Sequence, residues 1–243
     1  MTSSTVLVTG ASRGLGRVLA GFLAKQGYRL ILTARGAEAL AQTAEDLRPY
    51  TEVVALPGDV TDAAHRRRLV AAVEEGGLSV LVNNASYLGL SPQPPLANYP
   101  LETLREVFES NVVAPLALVQ EALPLLRVRG GLIVNLSSDA AVGGYAGWGG
   151  YGSSKAALDL LSRTLAAELQ ESGVSVVSVD PGDMRTQMHQ EAFPGEDISD
   201  RSLPEVTLPF WAWLLSQAGD AVTGERFQAQ SDLWTLTPAV QAP

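Results

Sequence analysis

Apolar residues along the chain follow two alternating rhythms. Short runs rich in Val, Ile and Leu are separated by longer stretches in which apolar positions recur every three or four residues. The runs are TVLVT (5–9), RLILT (29–33), EVVAL (52–56), LSVLVN (78–83), GLIVNLS (131–137) and VSVVSVD (174–180), with a short one near 225–230. They read as strands, and most are apolar enough to be buried on both faces. The stretches between them read as helices over 14–26, 37–48, 62–75, about 101–127, 151–172 and 204–217. In the first, Leu15, Leu19, Phe22 and Leu23 share one face; Thr61 or Asp62 is placed to cap the third, and Gly173 to close the fifth. Strand–helix–strand units with right-handed crossovers predict one α/β domain over 1–243, a doubly wound parallel sheet of about seven strands with helices on both faces. The least regular segments, 84–100, 139–150 and 183–203, each follow the C-terminal end of a strand. Ligands bind at that edge of an open α/β sheet.

Composition narrows the function. The chain has 243 residues, 46% hydrophobic, with a net charge of −9, which makes it a poor phosphate-backbone binder, so no nucleic-acid partner is expected. Cysteine is absent, which removes disulfides, thiolate metal sites and a cysteine nucleophile. Residues 1–9 lack the basic start and apolar run of a signal peptide. The uncharged stretch 76–101 contains four Pro, and the greasy stretch 206–219 is short and contains one, so neither is expected to span a bilayer. A cytoplasmic protein with no membrane partner is the expectation.

Candidate chemistry begins at 9–16, TGASRGLG, between the first strand and the first helix. Gly10 permits a tight turn, while Gly14 and Gly16 allow close backbone approach and helix packing. The helix N-terminus then offers free N–H groups to an anion. No GK[ST] follows, so this is not a P-loop. Gly10-Ala-Ser12-Arg-Gly14 also has the form of a hydrolase nucleophile elbow, with Ser12 as nucleophile and His189 as base. Against that reading, no earlier strand supplies a second oxyanion donor and no HGGG-type segment exists. The other histidine, His65, is expected on a solvated face beside Arg66, Arg67 and Arg68.

Lys155 lies four residues after Tyr151, one of only two lysines in the chain. On a helix the two share a face, and a cation beside a phenol lowers its pKa towards working pH, which suits a general acid or base. Tyr145 has no such partner. Ser137 and Ser138 end the fifth strand, and Asn83, Asn84 and Ala85 end the fourth; Asn111 sits in a helix interior, where Asn has poor propensity.

Taken together, TGASRGLG, Asp59-Val60, Asn83-Asn84-Ala85, Asn111, Ser138, Tyr151-x-x-x-Lys155 and Pro181-Gly182 with Thr186 resemble the short-chain dehydrogenase/reductase family, in order and spacing over nearly the whole chain. The likeness is to NADP-preferring, 3-oxoacyl-reductase-like members. It implies a Rossmann-like fold and hydride transfer between a nicotinamide cofactor and a carbonyl or alcohol. Tyr151 would exchange the proton, Lys155 would lower the Tyr pKa and hold the ribose, Ser138 would polarise the carbonyl, and Asn111 would hold a relay water. Gly10, Ser12, Arg13, Leu15 and Gly16 would cradle the cofactor's phosphates. Asp59 and Val60 would meet the adenine, and Asn84 and Ala85 would line the cofactor. Pro181, Gly182 and Thr186 would fix the carboxamide end. Arg35 ends the second strand with no acid until Glu38, and Arg13 stands in the glycine turn. Two guanidinium groups suit the 2′-phosphate of NADP(H) better than the bare ribose of NAD(H). The resemblance also implies a homo-oligomer, a tetramer or a dimer, although the ending ERFQAQSDLWTLTP departs from the family pattern. Ser86 departs too, standing where the family usually has Gly. Residues 183–203 are expected to form a substrate lid. The substrate is a small carbonyl compound of unspecified type. A non-catalytic NADP(H)-binding redox sensor is the alternative, and an α/β-hydrolase using Ser12 a remote one.

Overall fold

The computed structural model describes residues 4–73, 76–231 and 233. The end of the helix expected over 62–75, at Glu74 and Glu75, and residues 232 and 234–243 of the C-terminal segment fall outside them.

Seven parallel strands form one sheet: β1 (Thr5–Thr9), β2 (Arg29–Ala34), β3 (Val53–Pro57), β4 (Val80–Asn83), β5 (Leu132–Leu136), β6 (Ser175–Asp180) and β7 (Arg226–Gln228). Their spatial order is β3-β2-β1-β4-β5-β6-β7. The order reverses between β1 and β4, which opens a crevice at the C-terminal ends of those two strands.

Alternation along each strand divides the core in two. On one face Val6, Val8, Leu30, Leu32, Val82, Val134 and Val177 meet α1 (Gly14–Lys25), α2 (Ala37–Leu47) and α8 (Leu208–Ser216), whose Phe210, Trp211 and Leu214 are almost wholly buried. On the other, Leu7, Ile31, Leu81, Ile133 and Val176 meet α3 (Ala63–Ala71), α5 (Ala114–Arg129) and α6 (Gly149–Leu169). Both faces are dry, which is why the strands read as continuous apolar runs.

Helix boundaries follow local chemistry. Asp62 caps α3, its carboxylate accepting from the Ala64 N–H at 2.8 Å. The Tyr–Lys helix ends at Leu169, and a 3-10 turn over Gln170–Ser172 carries the chain to Gly173 at φ +71°. That left-handed value is the stop the sequence predicts. The expected helix over about 101–127 is α4 (Leu101–Phe108), a π-turn (Glu109–Val113) and α5 in unbroken succession. By length and composition this run, Leu101–Arg129, could cross a membrane, a property the uncharged-stretch criterion does not detect. Here its Leu118, Val119, Ala122 and Leu126 are packed on the sheet. The expected helix over 204–217 is a 3-10 turn (Pro204–Thr207) followed by α8.

One expectation is overturned. His65 does not face water: it is 0% exposed, and its Nε2 lies 2.7 Å from Thr33 Oγ1. The arginines beside it divide their roles, since Arg66 turns inward to Glu121 and the Val60 carbonyl, while Arg68 Nη2 donates to His65 Nδ1 at 3.0 Å. With Nδ1 accepting, Nε2 carries the proton and donates to Thr33. Burial, then the Arg68 charge, hold the His65 pKa below its ordinary value.

Unfolded chains therefore take up the His65 proton first as pH falls. The stability from neutral His65 is complete above about pH 6.5 and is lost below it. Between pH 7.5 and 5.5 the melting temperature of the native protein falls further than that of His65→Gln; equal falls in the two proteins contradict a buried neutral imidazole.

Candidate active site

The glycine turn leads from β1 into α1. Gly10 and Gly14 have φ of +68° and +54°, in the left-handed region. Gly16 is required by packing: a Cβ there would stand 2.3 Å from the Gly10 carbonyl and 2.5 Å from Asn84 Nδ2. No side chain caps the N-terminus of α1, so its first N–H groups face the crevice uncapped.

The switch point is stitched by side chains. Thr9 Oγ1 accepts from the N–H groups of Asn84 and Ala85, at 3.0 and 2.9 Å. Asn84 Nδ2 returns two bonds to the carbonyls of Thr9 and Gly10. Asn84, expected as a cofactor contact, thus also sets the shape of the turn.

A groove of about 560 Å³ runs along this edge of the sheet. It is lined by Gly10, residues 12–16, 33–36, 58–60 and 84–87, and then by Leu136, Ser137, Tyr151, Lys155, Pro181, Met184 and residues 186–188. It gathers every expected site residue except Asn111, Ser138 and Gly182. Arg13 and Arg35 both line it, and Arg13 Nη1 lies 3.8 Å from Glu191 Oε1. Asp59 Oδ1 accepts from the N–H and hydroxyl of Thr61, fixing the turn after β3. Thr186 caps α7 (Gln187–Ala192), so α7 begins over the groove.

Tyr151 and Lys155 occupy the floor, 7% and 2% exposed, whereas Tyr145 is 51% exposed. Lys155 Nζ donates to the Leu136 carbonyl at 2.7 Å and lies 5.5 Å from the centre of the Tyr151 ring. Burial pushes Lys155 down to about 8, and Asp159 opposes that fall. The Tyr151 pKa is not lowered, as the Tyr–Lys spacing predicts, but raised above the usual phenol value. Burial of the phenolate is the largest cause, Asp180 and Asp139 add to it, and a hydrogen bond with Ser86 works against it. Ser86 therefore does more than fill the glycine position of the family pattern. Sequence alone offered only its departure from that pattern as a signal.

Asn111, in the π-turn, is wholly buried with its amide fully engaged. Its Oδ1 accepts from the Tyr87 N–H, and its Nδ2 donates to the Tyr87 carbonyl and to Ser154 Oγ. The side chain holds the groove residue Tyr87 and α6 in place. The two serines at the end of β5 differ in their partners. Ser138 Oγ caps the next turn, accepting from the Ala140 N–H and donating to Asp139. Ser137 Oγ is buried without a partner, and Ser137 lines the groove. Gly182 lies behind the groove, at φ +72°, against Gln230.

A phosphate-sized turn at the switch point of a doubly wound sheet, opening onto a buried Tyr–Lys pair, defines a dinucleotide-binding oxidoreductase. The family model for short chain dehydrogenases matches residues 4–197. The rhamnolipid-biosynthesis 3-oxoacyl-[acyl-carrier-protein] reductase of Pseudomonas aeruginosa is 38% identical over 219 residues, covering 85% of this chain and 82% of its own. A short chain dehydrogenase of Shigella flexneri 2a solved with NADP superposes with a TM-score of 0.87 at 32% identity, over 95% of this chain and 98% of its own. One from Escherichia coli CFT073 solved with NADPH gives 0.84 at 32% identity, over 95% and 98%. The chain belongs to the short-chain dehydrogenase/reductase family.

Since a Gly16 Cβ would meet the Gly10 backbone as well as Asn84 Nδ2, Gly16→Ala is expected to destabilise the fold by about 1–3 kcal/mol. Denaturant unfolding measures it, and an unchanged midpoint contradicts the close approach described here.

Proposed function

We propose that the protein is an NADP(H)-dependent oxidoreductase that interconverts a small carbonyl compound and its secondary alcohol. The observation that carries this reading is the buried Tyr151–Lys155 pair at the floor of a groove continuous with the glycine turn. The groove fits the cofactor: uncapped helix N–H groups and the left-handed Gly10 and Gly14 suit its diphosphate, Arg13 and Arg35 suit a 2′-phosphate, and the Ser137 hydroxyl is an unused donor in the wall. Ser12, Leu15 and Gly16 complete the turn, Asp59 and Val60 take the adenine end, and Ala85, Pro181 and Thr186 flank the nicotinamide end. When bound, NADPH supplies the hydride.

In reduction, Tyr151 gives its phenolic proton to the carbonyl oxygen as the hydride arrives at carbon. A phenol whose pKa is raised by burial is held protonated, the state a proton donor needs. The phenolate left behind is stabilised by the neighbouring Lys155 ammonium and by Ser86. Ser138, the residue after the groove-lining Ser137, polarises the carbonyl once its hydroxyl leaves Asp139. Trp148, which meets Tyr151 edge-on at 5.9 Å and Phe193 at 5.8 Å, gives the substrate an aromatic wall, with residues 183–203 as its lid. The relatives named above support the NADP(H) reading and leave the substrate open.

Tyr151→Phe is expected to lower NADPH consumption with a responsive carbonyl compound by about 10²–10⁴-fold while NADPH still binds. Native turnover in that variant contradicts the assignment. Reduction by the native enzyme should decline above about pH 8, as Lys155 loses its charge. Replacing Arg13 and Arg35 together with Ala should weaken NADPH by about tenfold more than NADH, a difference of about 1.4 kcal/mol; equal losses contradict the 2′-phosphate assignment.

A further inference from the structure

Behind the Tyr–Lys pair lies a buried charge cluster that the mechanism above does not use. Arg226, on β7, points under the sheet edge. Its Nε donates to Asp159 Oδ2 at 2.9 Å, and its Nη2 donates both to Asp180 Oδ2 at 3.2 Å and to the Ser138 carbonyl at 2.8 Å. The side chains of Asp159 and Asp180 are 9% and 5% exposed. Asp159 lies four residues after Lys155 and eight after Tyr151, on the same face of α6. Asp180 ends β6 and accepts the Gly182 N–H at 3.0 Å, while Ser138 follows β5. One guanidinium therefore ties together the three elements that carry the proton-transfer groups and the Pro181-Gly182 turn.

A packed apolar residue could join β7 to α6 without desolvating three charges. The cluster is also unbalanced by itself, with two carboxylates against one guanidinium, and Asp159 Oδ1 has no hydrogen-bond partner. Lys155, one helical turn away, is the second cation that balances it.

We propose that Arg226 is a positioning residue for the proton transfer: it clamps α6 to the ends of β5 and β6 and screens Asp159 and Asp180 from Lys155 and Tyr151. The proposal rests on the reading that Tyr151 and Lys155 move the proton. The charged groups facing that pair are Asp159 on its own helix, Asp180 from β6 and Asp139 from the turn after β5. Removing the Arg226 charge leaves Asp159 uncompensated one helical turn from Lys155, so the Lys155 ammonium should persist to higher pH. Neutralising Asp159 removes the nearer carboxylate, so the ammonium should be lost at lower pH. The clamp thus predicts opposite shifts from the two ends of one ion pair, which lost packing does not produce.

The chain has only two lysines, Lys25 and Lys155, so lysine labelled with ¹³C at Cε yields two resonances. The Lys155 resonance is titrated in the native protein, Arg226→Gln, Asp159→Asn and the double variant, each checked for folding by circular dichroism. Relative to native, the midpoint should rise by about one unit in Arg226→Gln and fall by about one unit in Asp159→Asn. It should return towards native in the double variant. The kcat for NADPH-linked reduction should fall about tenfold or more in Arg226→Gln with the KM for NADPH changed less than about threefold. If Arg226→Gln does not fold, the downward shift in Asp159→Asn carries the test. Midpoints unmoved in the folded variants overturn the proposal even where Tyr151→Phe is inactive. Shifted midpoints with a fully active Tyr151→Phe overturn instead the proton-transfer reading and the proposal with it.

Discussion

An ammonium group that scarcely touches water is the constraint on which the rest of this site depends. Desolvating such an ion costs several kcal/mol unless partners replace the lost solvent. Lys155 meets that cost with the Leu136 carbonyl at 2.7 Å and with the field of Asp159 one turn along α6. The bond to Leu136 fixes α6 against the end of β5. The end of β5 is itself fixed by pairing between β4 and β6, both buried on two faces. The position of the charge is therefore a consequence of the sheet, and the sheet edge is where the glycine turn opens. A cation could not be kept in this place on a mobile loop.

The two halves of the groove are held by different physics. Around the glycine turn, backbone groups do the work: Asn84 and Thr9 spend their hydrogen bonds shaping the turn, and Gly16 leaves α1 close enough to the Gly10 carbonyl to orient its first N–H groups. Around Tyr151, ionised side chains do it, and each sets the protonation of another. Burial and, less, Asp180 keep the phenol protonated, Ser86 works the other way, and Arg226 bears on both Asp180 and Asp159.

Much of this was legible in the sequence, because buried parallel strands leave an unmistakable apolar rhythm. All seven strands lie where that rhythm puts them, with shifts of at most two residues at their ends. Most of the expected site residues, though not Asn111, Ser138 or Gly182, line one groove because their spacing places them at successive strand ends. What stayed hidden depended on tertiary neighbours. His65 looked solvated because three arginines follow it, yet Thr33 and Arg68 satisfy both of its ring nitrogens inside the core. Asn111 gave no local sign of the bonds its amide makes to Tyr87 and Ser154. The Tyr–Lys spacing foretold a lowered phenol pKa, and burial reversed the sign. Arg226 gave no local signal, since its partners are 46 to 88 residues away.

We propose that this groove holds NADP(H) for chemistry at Tyr151, and calorimetric titration of the native protein with NADPH and with NADH decides it. NADPH is expected to bind saturably, tighter than NADH by about tenfold or more, with a matching rise in melting temperature. Binding of neither nucleotide, or tighter binding of NADH, would contradict it.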